Sequence, residues 1–173
     1  MLKCASADFQ SKIYLDAMDV LSAFRQCHDK PLKTAYRQLQ EIVRKEDSHA
    51  IFAKRSKRTA SIVNKLKRYD GMNLSRLQDI GGCRAIVSTE RKLRKIVRNL
   101  ERCEGFKSEG GKIRSKDYLT NPKDDGYRSY HMVGQFPDEN NELRNIEIQI
   151  RTRIQHYWAT ALEIVDLFTG QAL

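Results

Sequence analysis

Apolar side chains recur every three or four residues in five segments of the chain, which is the spacing of a helix with one buried face. Pro31 is suited to the first turn of the second segment. Thr152 is suited to the N-cap of the last segment, and Gly170 is suited to the position just past its C-terminal end. The predicted helices span residues 9–24, 31–43, 59–69, 89–102 and 152–169.

Three further segments have the composition of strands: residues 83–87, 130–136 and 145–151. The last two flank the turn-forming residues 137–141. Residues 104–117 are glycine-rich, and we interpret them as an irregular strand. Because helices come first and a compact sheet with further helices follows, the pattern predicts an α+β or mixed α/β domain.

The length and charge of the chain narrow the class of partner. The chain has 173 residues, which favours one domain, and 32 Lys+Arg against 22 Asp+Glu, for a formal net charge of +10. Such an excess favours anionic partners, namely nucleic acids, nucleotides or acidic membrane surfaces. No apolar run reaches the ~18 residues of a membrane span, and no secretory signal pattern is present.

The cysteines indicate a reducing compartment. Four scattered cysteines without an export signal predict reduced thiols and a cytoplasmic location. Because the chain has no Cys-x-x-Cys pair and its histidines are dispersed, we expect no zinc site. Residues 105–112 begin like a phosphate-binding P-loop but lack its Lys-Ser/Thr ending, and we reject that interpretation.

A basic run between Lys54 and Arg68 holds seven cations and no acid. One interpretation is a solvated helix face. The other is a polyphosphate site, because a cationic helix without acidic partners repels itself and a bound polyphosphate would relieve that repulsion.

Alternation in residues 145–151 puts Glu147, Gln149 and Arg151 on one side of a strand and three isoleucines on the other. An edge strand facing solvent would show the same alternation. In a central strand, the three polar side chains would form the floor of a site, with Glu147 able to take a proton or hold a metal.

Two loops carry further candidate chemistry. Asp79 precedes a strand and two glycines. An aspartate in this position can bind Mg²⁺ together with phosphate oxygens, or it can form a turn in which its side chain hydrogen-bonds the local backbone. Residues 116–131 gather cations, Tyr127 and His131 around a glycine turn. Aromatic and cationic side chains together suit a nucleotide, although Tyr127 could instead be a core aromatic.

Taken in order, these motifs closely resemble the synthetase domain of the RelA/SpoT alarmone synthetase family over roughly residues 50–165. Residues 79–84 match its Asp-Ile-x-Gly-x-Arg motif, residues 117–131 match its Asp-Tyr…Gly-Tyr-x-Ser-x-His loop, and residues 147–152 read Glu-Ile-Gln-Ile-Arg-Thr unaltered. The family's Arg-x-Lys…Ser-Ile…Lys-Leu-x-Arg segment is matched by Arg55, Lys57, Ser61, Ile62, Lys65, Leu66 and Arg68.

The resemblance implies a nucleotidyltransferase-like α+β fold with a mixed, mostly antiparallel sheet of about five strands. Residues 48–173 would form the synthetase domain, and residues 1–47 a helical segment packed on it. It also implies an enzyme that moves pyrophosphate from ATP to the 3′-hydroxyl of GDP or GTP and releases AMP. The short chain leaves no room for the hydrolase domain of the bifunctional members.

The resemblance also implies a role for each matched residue. Glu147 and Asp79 would be catalytic and would hold Mg²⁺, with Glu147 taking the 3′-hydroxyl proton. ATP would be bound by Arg55, Lys57, Ser61, Lys65, Arg68 and Arg84. The acceptor would be bound by Lys123, Tyr127, Arg128, His131, Gln149 and Arg151, with Tyr127 stacked on guanine. In short alarmone synthetases the corresponding glutamate follows the tryptophan at a spacing one residue shorter than that between Trp158 and Glu163, so the resemblance implies no role for Glu163.

Other acceptors remain open. The Trp158–Glu163 helix also resembles toxin-type relatives that modify the 3′ end of tRNA and block translation, and an adenine nucleotide is a further alternative. A non-enzymatic RNA-binding module would not need Asp79 and Glu147. Candidate protein partners are a second copy of the chain or an antitoxin; no membrane and no duplex DNA are expected.

Overall fold

A computed structural model describes residues 2–107 and 111–169, with side chains from residue 12 onward. Its helices are α1 (Leu2–Gln26), α2 (Asp29–Arg44), α3 (Thr59–Arg68), α4 (Glu90–Arg102) and α5 (Arg153–Thr169). Its strands are β1 (Ile51–Ser56), β2 (Gly81–Val87), β3 (Arg114–Asp117), β4 (Tyr130–Pro137) and β5 (Leu143–Thr152). Short 3₁₀ helices cover Leu74–Arg76 and Glu104–Phe106.

The five strands form one open sheet in the order β1-β2-β5-β4-β3. Strands β2 and β5 are parallel, and the other three pairs are antiparallel. The α+β class and the mixed, mostly antiparallel sheet are therefore confirmed. Because β5 lies at the centre, its polar face cannot be the solvent-facing side of an edge strand.

The main hydrophobic core lies on one side of this sheet. Ile146, Ile148 and Ile150 of β5 are fully buried there against apolar residues of α2 and α4, such as Leu39 and Ile96. The alternation of β5 therefore sends Glu147, Gln149 and Arg151 to the opposite side. By packing β5 against α2 and α4, the core fixes the position of the polar side chains on the other face of this strand.

Strand β1 was not predicted. Residues 54–56 are part of the cationic run and residues 51–53 belong to no predicted element, but the structure pairs all six with β2, from Ile51↔Ile86 to Ser56↔Gly81. Four of its six side chains are exposed, so it carries little apolar signal. Pairing with the β2 backbone, rather than local sequence, makes this segment a strand.

All five predicted helices are confirmed, and apart from the start of α1 their ends differ from the predicted ones by no more than a few residues. Helix α1 runs beyond residues 9–24 to Leu2 and Gln26, and Oγ1 of Thr152 caps α5 by accepting from the amide of Gln155. Residues 104–117 form a 3₁₀ turn and the short β3, while Gly170 and residues 108–110 lie outside the described residues. Among the described helices, none is both long and apolar enough to span a bilayer.

Candidate active site

A cavity of about 580 Å³ opens between the polar face of the sheet and α5. Asp79, just before β2, and Glu147 of β5 both line it, so the structure brings the two predicted carboxylates together. Six other predicted site residues line the same cavity: Lys65, Lys123, Tyr127, His131, Gln149 and Arg151.

A second cavity of about 170 Å³ lies beside the first and is lined by two more predicted residues, Arg55 of β1 and Arg84 of β2. Glu147, Gln149 and Glu163 line both cavities. The two spaces therefore meet at the central strand, with Glu147 at the boundary.

The Glu147 carboxylate is held by two side chains. Nδ1 of His131 donates to Oε1 at 3.1 Å, and Nε2 of Gln149 donates to Oε2 at 2.9 Å. Burial raises the pKa of Glu147, but the hydrogen bonds from His131 and Gln149 and the charge of His131 bring it below its ordinary value. The group is therefore ionised at neutral pH and can accept a proton.

Gln149 links this carboxylate to two arginines. Its Oε1 accepts from Nε of Arg84 at 3.1 Å and from Nη2 of Arg151 at 2.9 Å. Burial lowers the pKa of Arg84, and the charge of Arg151 lowers it further. Nη1 of Arg151 is buried without a partner in the described part of the chain. Two desolvated guanidinium groups converging on one neutral amide favour an anionic ligand.

Asp79 is contacted by two lysines from the basic run. Nζ of Lys57 lies 2.6 Å from Oδ2, and Nζ of Lys65 lies 3.0 Å from Oδ1. Burial raises the pKa of Asp79, but these lysines outweigh burial and lower it overall. The interpretation of the run as one helix without acidic partners is therefore wrong: the run is divided between β1, a two-residue connection and α3, and Asp79 pairs with Lys57 of the connection and Lys65 of α3.

The residues present suit magnesium. Asp79 is near enough for its charge to disfavour ionisation of Glu147. Two carboxylates beside cations that can bind phosphate match the way Mg²⁺ is held, by one or two acids together with substrate oxygens. Among the described residues no cluster of three or more His, Cys, Asp or Glu side chains could hold a metal alone. The donor set therefore fits Mg²⁺ that arrives with a nucleotide.

Tyr127 is more constrained than the sequence indicated. Its hydroxyl contacts Nε2 of His131 at 2.7 Å and accepts from Nη2 of Arg151, and its ring meets Tyr118 edge-on. Lys123 and Arg151 place their charged groups 5.3 and 4.9 Å from the ring centre. Stacking of the Tyr127 ring on a base remains a prediction.

Several predicted ligands lie outside the lining of both cavities. Ser61, Arg68 and Arg128 are exposed, and Lys57 reaches the site only through Asp79. Conversely, Arg114 and Tyr118 line the larger cavity and were not assigned to it. Tyr118 belongs to the matched Asp-Tyr motif but was given no role, whereas Arg114 lies outside every motif and reaches the cavity because β3 pairs with β4.

The structure places Glu163 in the lining of the candidate active site. It lines both cavities, and its charge acts on Arg84 and His156. One turn before it, Nε1 of Trp158 donates to the carbonyl of Asp125 at 3.1 Å, which ties α5 to the loop that carries Tyr127. Helix α5 therefore closes one wall of the site.

The cysteines with described side chains form no disulfide. Cys27, Cys83 and Cys103 are free, and Cys4 lies among the residues whose side chains are not described. Cys83 lies in the buried β2, where burial raises the pKa of its thiol to about 12. The Cys83 side chain therefore packs in the core and stays protonated at neutral pH.

The fold is shared with solved alarmone synthetases. Small alarmone synthetase 1 from Bacillus subtilis, in a structure bound to its product pppGpp, superposes with a TM-score of 0.77 at 23% identity, covering 90% of this chain and 84% of that one. On this fold, Glu147 lies where the two cavities meet, and Asp79 lines the larger of them.

The family model described as "Region found in RelA / SpoT proteins" matches residues 54–164, and the chain belongs to that family. It is 34% identical over 115 residues to GTP pyrophosphokinase YwaC of Bacillus subtilis, covering 61% of this chain and 52% of the relative. It is 29% identical over 150 residues to GTP pyrophosphokinase YjbM of the same organism, covering 81% and 68%. The chain thus spans about half of one relative and two thirds of the other.

Proposed function

We propose that the protein is an ATP-dependent pyrophosphokinase that transfers the β,γ-diphosphate of ATP to the 3′-hydroxyl of GDP or GTP. The observation that carries this proposal is the position of Glu147 at the junction of two cavities, each lined by cations. A transfer between two nucleotides needs two binding spaces and a base where they meet. The GTP pyrophosphokinase names of the two curated relatives support the same reaction.

Glu147 would act as the general base. Its ionised carboxylate would accept the proton of the 3′-hydroxyl while that oxygen forms a bond to the β-phosphorus of ATP. The bond between this phosphorus and the bridging oxygen of the α-phosphate would break, and AMP would leave with the electron pair. A well-placed base contributes roughly 10² to 10⁴ in rate.

The cations would offset the repulsion between the substrates. Two unit charges 4 Å apart repel by about 4 kcal/mol at an effective dielectric constant near 20, and each nucleotide carries several charges. Arg55 and Arg84 would face ATP in the smaller cavity, whereas Arg151 and Lys123 would face the acceptor. Phosphoryl-type transfer depends mainly on such positioning and charge stabilisation.

Asp79 and Glu147 would hold Mg²⁺ once a nucleotide supplies the remaining oxygen ligands. The ion would neutralise charge that develops on the transferred diphosphate. Lys57 and Lys65 already contact both oxygens of Asp79, so they would turn towards phosphate when Asp79 binds the metal. With ATP and GTP as substrates, we assign the reaction to the cytoplasm.

The experiment uses ATP labelled in its outer phosphates, Mg²⁺ and separate reactions with GDP, GTP, an adenine nucleotide or deacylated tRNA. We expect label on the guanine nucleotide and release of AMP. Label on neither nucleotides nor tRNA would exclude the enzyme, and label on tRNA alone would exclude the alarmone reaction.

The tRNA 3′ end is the second candidate acceptor, favoured by one observation at the cavity rim. Trp158 is 50% exposed beside the loop that carries Lys123 and Tyr127. An exposed aromatic side chain beside cations can stack on a base of a single strand. Trp158→Ala would then reduce labelling of tRNA much more than labelling of GDP.

A further inference from the structure

The outer face of α4 carries a row of arginines that the proposed reaction does not use. Arg91, Arg98 and Arg102 are all exposed, and none of the three forms an ion pair or hydrogen bond with another described residue. We refer to these three residues as the arginine row. Because they are separated by seven and four residues, they lie within about 40° of arc on one helix face.

The row is regular and extends along most of the helix. At 1.5 Å per residue, Arg91 and Arg102 are about 16 Å apart along the axis. Lys95 lies beside the row, but its charge is engaged by Glu46 at 2.8 Å. The unpaired charges therefore form a line rather than a compact cluster.

Helix α4 holds too few acids to neutralise itself. It contains six cations and two acids, and both acids have other contacts. Glu90 pairs with Arg94 at 2.9 Å, and Glu101 accepts from the hydroxyl of Tyr130 at 2.6 Å. Like charges at helical spacing destabilise a helix, and an external polyanion along the row would remove that cost.

The arginine row is remote from the candidate active site. Leu93, Ile96 and Leu100 of the same helix are buried against the apolar face of the sheet, whereas Glu147 projects from the opposite face. A ligand on the outer side of α4 is thus separated from both cavities by the helix and the sheet.

We propose that the arginine row binds the phosphate backbone of a single-stranded nucleic acid. Guanidinium groups recognise phosphate with paired donors, and a phosphodiester strand offers the repeated charges that a line of cations requires. A membrane surface fits less well, because none of the large apolar side chains exposed among the described residues belongs to α4. An acidic peptide lacks the regular charge of a phosphodiester chain.

The test measures fluorescence anisotropy of a labelled oligouridylate with the full chain over a series of salt concentrations. The variant Arg91→Ala/Arg98→Ala/Arg102→Ala should bind more weakly. Each phosphate contact on a single strand contributes about 0.7 to the slope of log affinity against log salt, so the slope should fall by about 2. A fourfold rise in salt would then weaken the wild type about 20-fold more than the variant.

The control variant Lys12→Ala/Lys33→Ala/Lys67→Ala removes the same charge from exposed positions on three other helices. It should keep most of the slope, and the row variant should keep wild-type pyrophosphate transfer. Equal losses in both variants, or displacement of the RNA by saturating ATP analogue, would overturn the proposal. Binding to phosphatidylserine vesicles or to polyglutamate without binding to the oligonucleotide would also overturn it.

Discussion

Nδ1 of His131 lies 3.1 Å from Oε1 of Glu147, and a single chain of hydrogen bonds extends from this contact to Arg151. Arginine can only donate, so the Tyr127 hydroxyl accepts from Nη2 of Arg151, and the same hydroxyl lies 2.7 Å from Nε2 of His131. The Glu147 carboxylate can only accept, so the proton of this contact lies on Nδ1 of His131. The arrangement holds the carboxylate in one orientation without neutralising it.

Replacing Glu147 by glutamine should remove the base and keep the shape of the site. We expect kcat to fall by about 10² to 10⁴, the usual contribution of a general base, with ATP-analogue affinity unchanged within about threefold. Transfer assays and calorimetry measure the two effects. The exposed Glu139→Gln serves as the control, and a Glu147→Gln enzyme within about tenfold of wild-type kcat would disprove the role.

Two substitutions of Tyr127 separate its hydroxyl from its ring. Tyr127→Phe removes one hydrogen-bond partner from His131 and Arg151, worth about 0.5–1.5 kcal/mol, so kcat should fall by roughly 2- to 10-fold. Tyr127→Ala also removes the surface for stacking, worth about 1–3 kcal/mol per base, so the acceptor KM should rise by at least about fivefold. Equal acceptor KM values for the two variants would argue against stacking.

Asp79→Asn should change the metal requirement of the reaction. The amide keeps the size of the side chain but loses the charge that suits Mg²⁺, so half-maximal activity should need about tenfold more of the ion. Binding of ATP without Mg²⁺ should tighten, because Lys57 and Lys65 lose their carboxylate partner. Asp70→Asn, on an exposed loop, is the control, and an unaltered magnesium titration would contradict the assignment of Asp79.

Because of Asp47, the free energy of unfolding should decrease as the pH becomes acidic. Its side chain is buried and accepts from the amide and hydroxyl of Ser88 and from Lys92. Burial raises its pKa, but these bonds outweigh burial and lower it to about 2, against a value of 3.8 for the unfolded chain. The stabilisation, about 2 kcal/mol, is present above pH 4 and is lost as pH falls towards 2.

Denaturant unfolding of Asp47→Asn at several pH values tests this effect. The variant should be less stable than wild type by about 2 kcal/mol at neutral pH, and the difference should vanish near pH 2. The exposed Asp124→Asn should show no such pH dependence. A difference that persists at pH 2 would mean that packing, not ionisation, explains the loss.

The parts of the fold that follow from local periodicity were predictable. The apolar stripe of α4 and the alternation of β5 each place buried residues at a regular spacing, and both elements form where that spacing requires. Strand β1 was not predictable in this way, because its side chains are mostly exposed and its conformation comes from pairing with β2. Nothing within residues 51–56 distinguishes an edge strand from a polar helix turn.

The candidate site shows the same division. Its carboxylates and most of its cations lie in motifs that can be found along the chain. Arg114 could not be found this way, because β3 reaches the cavity only through its antiparallel pairing with β4. The arrangement of Tyr127 between His131 and Arg151 likewise depends on contacts across 4 and 24 residues of chain.

By itself, the sequence determined which side chains of β5 share a face, since successive residues of a strand point to opposite sides whatever surrounds them. It also determined the excess of positive charge. Only the tertiary structure decided where these features lie. The sheet order put Glu147 at the centre, and the packing of the helices brought Lys65 to Asp79 and left the arginine row of α4 on the far side of the sheet. These outcomes depend on pairing between distant segments, which local composition does not encode.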